Sequence, residues 1–205
     1  MVLGLSIERL AGRATSRGPL RIASVRPGRF PEERDAVVFA GSGELPVILL
    51  KHFAGRPSAH VPPWIEAAVA RDDEPFAGEL IAALAELLPP GGRLMVTYGD
   101  DETERGLKRR FPPAVTPIGR ALLASGCTWF KDWYYPEGWL EGEFKLQGNK
   151  PTSDEARRAH LAELRSEVEA WLAGSAGAAD ELVARARERA HSILGGVLSR
   201  GRSEA

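Results

Sequence analysis

At 205 residues, with 43% hydrophobic and 27% charged residues, the chain has the composition of one soluble globular domain, or one domain with an appendage. A formal net charge of −1 excludes the global positive field that draws proteins to nucleic acid or anionic membranes. Cys127 is the single cysteine, so no internal disulfide forms, and no apolar run approaches the ~20 residues that cross a bilayer. The N-terminus "MVLGLSIERLAGRA" lacks the basic and apolar segments of a signal peptide, and a cytoplasmic location is expected.

"SIERLAGRA" (6–14) predicts a short helix capped by Ser6. "PLRIASVRPGRF" reads as a strand with Leu20, Ile22 and Ser24 on one face and Arg21, Ala23 and Val25 on the other. "DAVVFAGSGELPVILLKHFAG" (35–55) holds two β-rich runs around a Gly-Ser-Gly-Glu turn, a hairpin signal. A further strand is expected at 64–70. Pro75 cannot sit inside a helix without a cost of ~3 kcal/mol, but fits the first helical position, so a helix starts there behind Asp73 or Glu74. Phe76, Leu80, Leu84 and Leu87 form its apolar stripe, and "PPGG" (89–92) ends it.

"RLMVTYG" (93–99) predicts a buried strand, followed by an acidic stretch (Asp100, Asp101, Glu102, Glu104) that suits the start of a short helix. Thr116-Pro117 repeats the cap-then-proline start, with Ile118, Ala121 and Leu122 inward and Gly126 as the terminal residue. Next comes "CTWFKDWYYPEGWLEGEFKLQG" (127–148), read as two strands joined at Pro136–Gly138. Trp129, Phe130, Trp133, Tyr134, Tyr135, Trp139 and Phe144 crowd into it. Two readings stand: core that the C-terminal helices rest on, or the wall of a ligand pocket. In the pocket reading Trp133, Trp139 and Tyr98 bind substrate, Asp132 and Glu143 supply polar groups, and Tyr134 donates a proton to a leaving group.

From Pro151 the pattern becomes helical. Thr152 and Glu155 have capping-box spacing, and Leu161, Leu164, Val168, Trp171 and Leu172 make one stripe. "AGSAGA" interrupts it; Leu182, Val183, Ala186, Ala190, Ile193, Leu194 and Val197 make a second. Such a helical hairpin is too small for its own core, so it packs on residues 1–150 or forms a homo-dimer with another copy. His52, His60 and Glu66 have no compact metal-ligand spacing, and Cys127 has no evident activating partner.

"FAGSG" (39–43), with "LAELLPPGGRLMVTYGDD" downstream, resembles the glycine-rich loop and fifth strand of class I S-adenosylmethionine-dependent methyltransferases. That resemblance implies a truncated Rossmann-like fold and S-adenosylmethionine as cofactor. Against it, "LPVILLKHF" has the Val and Ile of a strand rather than a helix. With a hairpin there, the element order resembles the GNAT-like N-acyltransferase fold. This implies acyl-coenzyme A meeting the helix that starts at 75, with Phe76, Ala77 and Gly78 as the cofactor-binding residues. The segment "YYPEGWLEGEFKLQGNKP" resembles an uncharacterised prokaryotic protein family, which brings no activity.

The expected architecture is an α/β (α+β) domain, residues 1–150, with a mixed, largely antiparallel sheet, followed by a helical hairpin and tail, 151–205. The expected function is an acyltransferase-like small-molecule transferase, with a methyltransferase-like protein or a non-catalytic binding module as alternatives.

Overall fold

The computed structural model describes residues 9–10, 12–56, 60–69, 77–98, 101–135, 143–178 and 180–198. Its strands are β1 (Ala14–Thr15), β2 (Gly18–Pro27), β3 (Glu33–Ala40), β4 (Ile48–Phe53), β5 (Trp64–Val69), β6 (Arg93–Tyr98), β7 (Trp129–Tyr135) and β8 (Glu143–Asn149). They form one sheet in the order β1-β2-β3-β4-β5-β6-β8-β7. Neighbours are antiparallel except β5 and β6, which run parallel from Trp64↔Arg93 to Val69↔Tyr98. A parallel pair needs a crossover, and here it contains α1 (Ala77–Glu86).

Alternation along each strand separates two faces. Val38, Ile48, Leu50, Ile65, Ala67, Leu94, Val96 and Leu146 are buried with Leu80, Ile81 and Leu84 of α1 and Ile118 and Leu122 of α3 (Pro117–Ala124). Complete burial of each such Leu or Ile contributes about 1.5–3 kcal/mol. Thr116 caps α3 by accepting from the Gly119 amide, and Gly126 follows the helix with φ +89°, in the left-handed region that glycine adopts freely.

The two C-terminal helices, α4 (Asp154–Gly174) and α5 (Glu181–Gly195), do not extend this core. Their stripes form a second cluster with Phe111, Ala114, Val115 and Leu123, around the 3-10 turn Pro113–Val115. Phe111 and Trp171 have ring centroids 5.0 Å apart, and Arg189 Nε donates to the Val115 carbonyl. The stripes are therefore covered within the chain. Phe130 of β7 touches both clusters, whereas Trp129, expected with Trp133 and Trp139 to form the floor for the C-terminal helices, is 37% exposed.

Four details differ from the sequence reading. First, a bulge between Ile22 and Ser24 shifts β2: Ser24 pairs with Val37 and Val25 with Ala36. Ser24 therefore leaves the face of Leu20 and Ile22, because an extra residue reverses the alternation beyond it. Second, β4 begins at Ile48, making the connection from β3 longer than the four-residue turn. Third, Ser153 rather than Thr152 caps α4, accepting from the Ala156 amide. Fourth, β1 (Ala14–Thr15) already begins at Ala14, the last residue of the helix expected at 6–14.

Residues 48–53 are extended, not helical. "GSG" thus belongs to the β3–β4 connection, and the helix that a nucleotide-binding loop would lead into is replaced by a strand. Residues 101–108 form α2 (Asp101–Lys108), as the acidic stretch suggested. Ser6, the Asp73–Pro75 start signal and the Pro136–Gly138 turn lie outside the described residues. No helix among the described residues is long and apolar enough to cross a membrane.

Candidate functional site

Because α1 and α3 cover one face of the sheet and α4 and α5 pack around the 3-10 turn, the other face of β2–β5 meets solvent. Leu49, in the middle of it, is 56% exposed, whereas its neighbour Leu50 is 4% exposed. This open face carries a depression of about 400 Å³. Two cross-strand rows form its floor. Ser24, Val37, Leu49 and Ala68 are opposite one another in turn, and so are Arg26, Asp35, Lys51 and Glu66. The bulge in β2 brings Ser24 and Arg26 into these rows.

The first row is mostly apolar; the second alternates in charge. Lys51 Nζ is 3.1 Å from Glu33 Oε1 and 3.9 Å from Asp35 Oδ1. Glu33 is 3% exposed. Burial alone would push its carboxyl up. Hydrogen bonds from Lys51 and from the Arg29 and Phe30 amides, with the Lys51 charge, outweigh that and hold it below the usual range. In return the hydrogen bond with Glu33 raises Lys51, against burial and helped by the charges of Asp35, Glu33 and Glu66. Glu66 Oε1 accepts from Lys145 Nζ at 2.6 Å.

Asp35 is held more loosely, by the Lys51 charge without a hydrogen bond. Asp35 Oδ1 is shielded from solvent and accepts no hydrogen bond. Arg26, directly opposite it in the register, makes no ion pair among the described residues. The Asp35 charge is balanced by Lys51 Nζ, 3.9 Å away.

A second depression of about 340 Å³ lies between β7 and α4, lined by Asp132, His160, Glu163 and Glu167 with Thr128 and Trp129. Thr128 Oγ1 is 3.1 Å from His160 Nδ1. Burial, then the Asp132 charge, raises the Glu167 carboxyl. His160, Glu163 and Glu167 come from α4 and Asp132 and Thr128 from β7 and the residue before it, with β8 between them and the parallel pair.

Of the residues expected in a site, Asp132 lines this second depression, half-buried. Trp133 and Tyr134 lie in β7 opposite Lys145 and Phe144, and Glu143 opens β8 opposite Tyr135. Asp132 and Glu143 are three positions apart along that ladder, so they are not cross-strand partners. Tyr98 ends β6 opposite Val69. Ala77 is buried at the start of α1, and a Cβ added to Gly78 would meet nothing within 4 Å. Phe76 and Trp139 lie outside the described residues. The expected set is thus spread over β6, β7, β8 and α1.

Among the metal candidates, His52 is buried on the α1 side of the sheet, Glu66 is on the open side, and His60 is exposed in a turn. The described residues contain no group of three His, Cys, Asp or Glu placed to hold a metal. Cys127 is buried, and burial pushes its thiol up to about 11 despite the Lys150 charge.

Sequence reasoning missed Arg26, Asp35 and Lys51. One signal was available: "ILLKHF" and "WIEAAV" each place a single formally charged residue in a mostly apolar strand, at Lys51 and Glu66. On a half-covered sheet such residues mark the open face.

A family model described as "Protein of unknown function (DUF1122)" matches residues 16–175. The chain is also similar to the crystal structure of a protein of unknown function, AQ1966, from Aquifex aeolicus VF5. Identity is 31%, the match covers 93% of this chain and 100% of that one, and the TM-score is 0.77. No curated protein matches the chain.

Proposed function

The chain belongs to the DUF1122 family of proteins of unknown function, and we propose that it is a small-molecule transferase of the acyltransferase type, with its acceptor on the open face beside Glu66. One observation carries this reading. β5 and β6 are a parallel pair within an otherwise antiparallel described sheet, α1 lies in their crossover, and the 400 Å³ depression opens against β5. In sheets with parallel crossovers, ligands meet the C-terminal ends of the strands, where the following helix presents free amides. The resemblance of the sequence to N-acyltransferases supports the same reading.

An acyl-coenzyme A donor would bring its thioester to that end. β5 and β6 are paired at all six positions, so the donor reaches the site beyond Val69 and Tyr98, not between the paired residues. At Gly78 there is open space on the exposed side of α1. Glu66 then removes a proton from the acceptor amine. The nitrogen lone pair attacks the thioester carbon, the C–N bond forms, the C–S bond breaks, and the departing thiolate takes up a proton from solvent.

Calorimetric titration tests the donor half. Acetyl-coenzyme A is expected to bind and raise the melting temperature, the gain reaching about 2.7 kcal/mol at a hundred times its dissociation constant. S-adenosylmethionine, the control, is expected to do neither. Absence of acetyl-coenzyme A binding by the folded protein defeats the transfer reading.

A further inference from the structure

Across the open face the row Arg26, Asp35, Lys51, Glu66 reads plus, minus, plus, minus from β2 to β5, at successive cross-strand positions. Beside it run Ser24, Val37, Leu49 and Ala68, small at both ends and branched in the middle. Neither row is covered within the chain. Leu49 is 56% exposed, and the Asp35 and Lys51 side chains, though paired with each other, are 48% and 42% exposed. Consider a twofold axis in the plane of contact, along the strands and midway between β3 and β4. Turned over about it, the charged row reads minus, plus, minus, plus, and laid on the original it meets opposite charge at all four positions.

We propose that the open face of β2–β5 is the contact surface for a second copy of this chain, in a twofold dimer with the two sheets face to face. Arg26 faces the partner's Glu66, and Asp35 faces the partner's Lys51. Each pair occurs twice, as an isologous interface requires. Val37 and the partner's Leu49 fill the middle of the contact. An axis across the strands would instead set each charge of the row against its own copy, so the charges select one orientation. They fix register, while the apolar row contributes affinity. The row sums to zero, so it sets up no net repulsion between approaching copies. Lys51 keeps Glu33 and Glu66 keeps Lys145, so the contact needs no rearrangement within the chain.

Four strands about 4.8 Å apart make a small face, with β4 and β5 only six residues long. That is the size of a reversible interface rather than an obligate one, so the copies separate on dilution and Leu49 meets water again. The dimer stands apart from the transfer reading but bears on it. Ala68 faces the partner's Ser24, and these two small side chains leave a passage from the Val69 end of β5 to Glu66, with the partner's Arg26 as one wall.

Sedimentation of the full chain at several concentrations through the micromolar range tests this. The parent is expected to move with concentration toward twice the chain mass. Arg26→Glu and Leu49→Asp, both at exposed positions, are expected to weaken association at least tenfold while the circular dichroism stays that of the parent. Glu66→Arg should weaken it too. An equimolar mixture of Arg26→Glu and Glu66→Arg chains is then expected to regain twice the chain mass, because each reversed charge meets the other.

A single-chain mass throughout overturns the proposal and leaves the face to another occupant. So does a dimer that either Arg26→Glu or Leu49→Asp leaves intact, which would lie on another surface. A mixture of folded chains that stays at the single-chain mass also overturns it; should Glu66→Arg not fold, the other two variants decide. Twice the chain mass without acetyl-coenzyme A binding would sink the transfer reading alone. Acetyl-coenzyme A binding by a chain that stays single would sink the dimer alone.

Discussion

Lys145 and Glu66 stand on strands that are not neighbours, yet Lys145 Nζ lies 2.6 Å from Glu66 Oε1, spanning β6 between them. Lys145 is opposite Thr97 and Glu66 opposite Met95, so the pair runs diagonally over the sheet. Their side chains are 22% and 26% exposed. This contact closes the β5 end of the charged row and holds the Glu66 carboxylate at the rim of the depression.

Such a half-buried pair lies between a surface ion pair and a buried one. A double-mutant cycle with Glu66→Gln and Lys145→Met, followed by urea unfolding, is expected to return a coupling energy of about 1 kcal/mol. A coupling indistinguishable from zero would mean that the pair contributes no positioning.

Leu49 and Leu50 are adjacent in β4 and opposite in environment. Leu50→Ala is expected to cost about 2–5 kcal/mol, the range for truncating a buried Leu, whereas Leu49→Ala should change stability by less than about 0.5 kcal/mol. Chemical denaturation of the two variants separates the covered face from the open one. Equal losses would show that something covers Leu49 in solution.

His52 is 1% exposed, neither ring nitrogen has a hydrogen-bond partner, and burial, then the Arg34 charge, pushes its pKa down to about 4. The unfolded chain, with an ordinary histidine pKa of 6.5, binds a proton that the folded chain refuses. Stability from this residue is therefore complete above pH 6.5 and is lost as pH falls from 6.5 toward 4. About 3 kcal/mol is at stake across that window. His52→Leu should flatten the stability profile between pH 6.5 and 4 relative to the parent, as read by urea midpoints. Glu33 and Glu32, whose carboxyls are held low, begin to lose their contributions as pH falls below the ordinary glutamate value of 4.5, equally in both proteins, which leaves the comparison intact. Parallel profiles for the two proteins would refute the assignment.

Several elements were legible in local sequence. Thr116-Pro117 announced α3 because the cap and the first-turn proline act within four residues. Leu161, Leu164 and Val168 announced α4, and Val and Ile in "LPVILLKHF" announced β4. The start of α4 slipped by one because Thr152 and Ser153 are both competent caps, and Ser153 is the one whose side chain accepts from the Ala156 amide.

The site was less legible. Glu66 entered the sequence reading as a metal candidate, and the aromatic segment drew the other assignments toward β7 and β8. Arg26, Asp35 and Lys51 are ordinary surface residues until the register aligns them. Asp35, Lys51 and Glu66 lie 15 or more positions apart along the chain but side by side in one row.

The sequence alone determined which segments are extended and which helical, since hydrogen-bond periodicity, capping and proline geometry act within a turn or a strand. It also favoured a strand at 46–53 over a helix behind "GSG", and the structure has that strand at Ile48–Phe53. Only the tertiary structure decided which sheet face is covered, where β2 bulges, and therefore which charges meet. Those outcomes depend on pairing between distant segments, and a shift of one residue moves every later side chain to the opposite face.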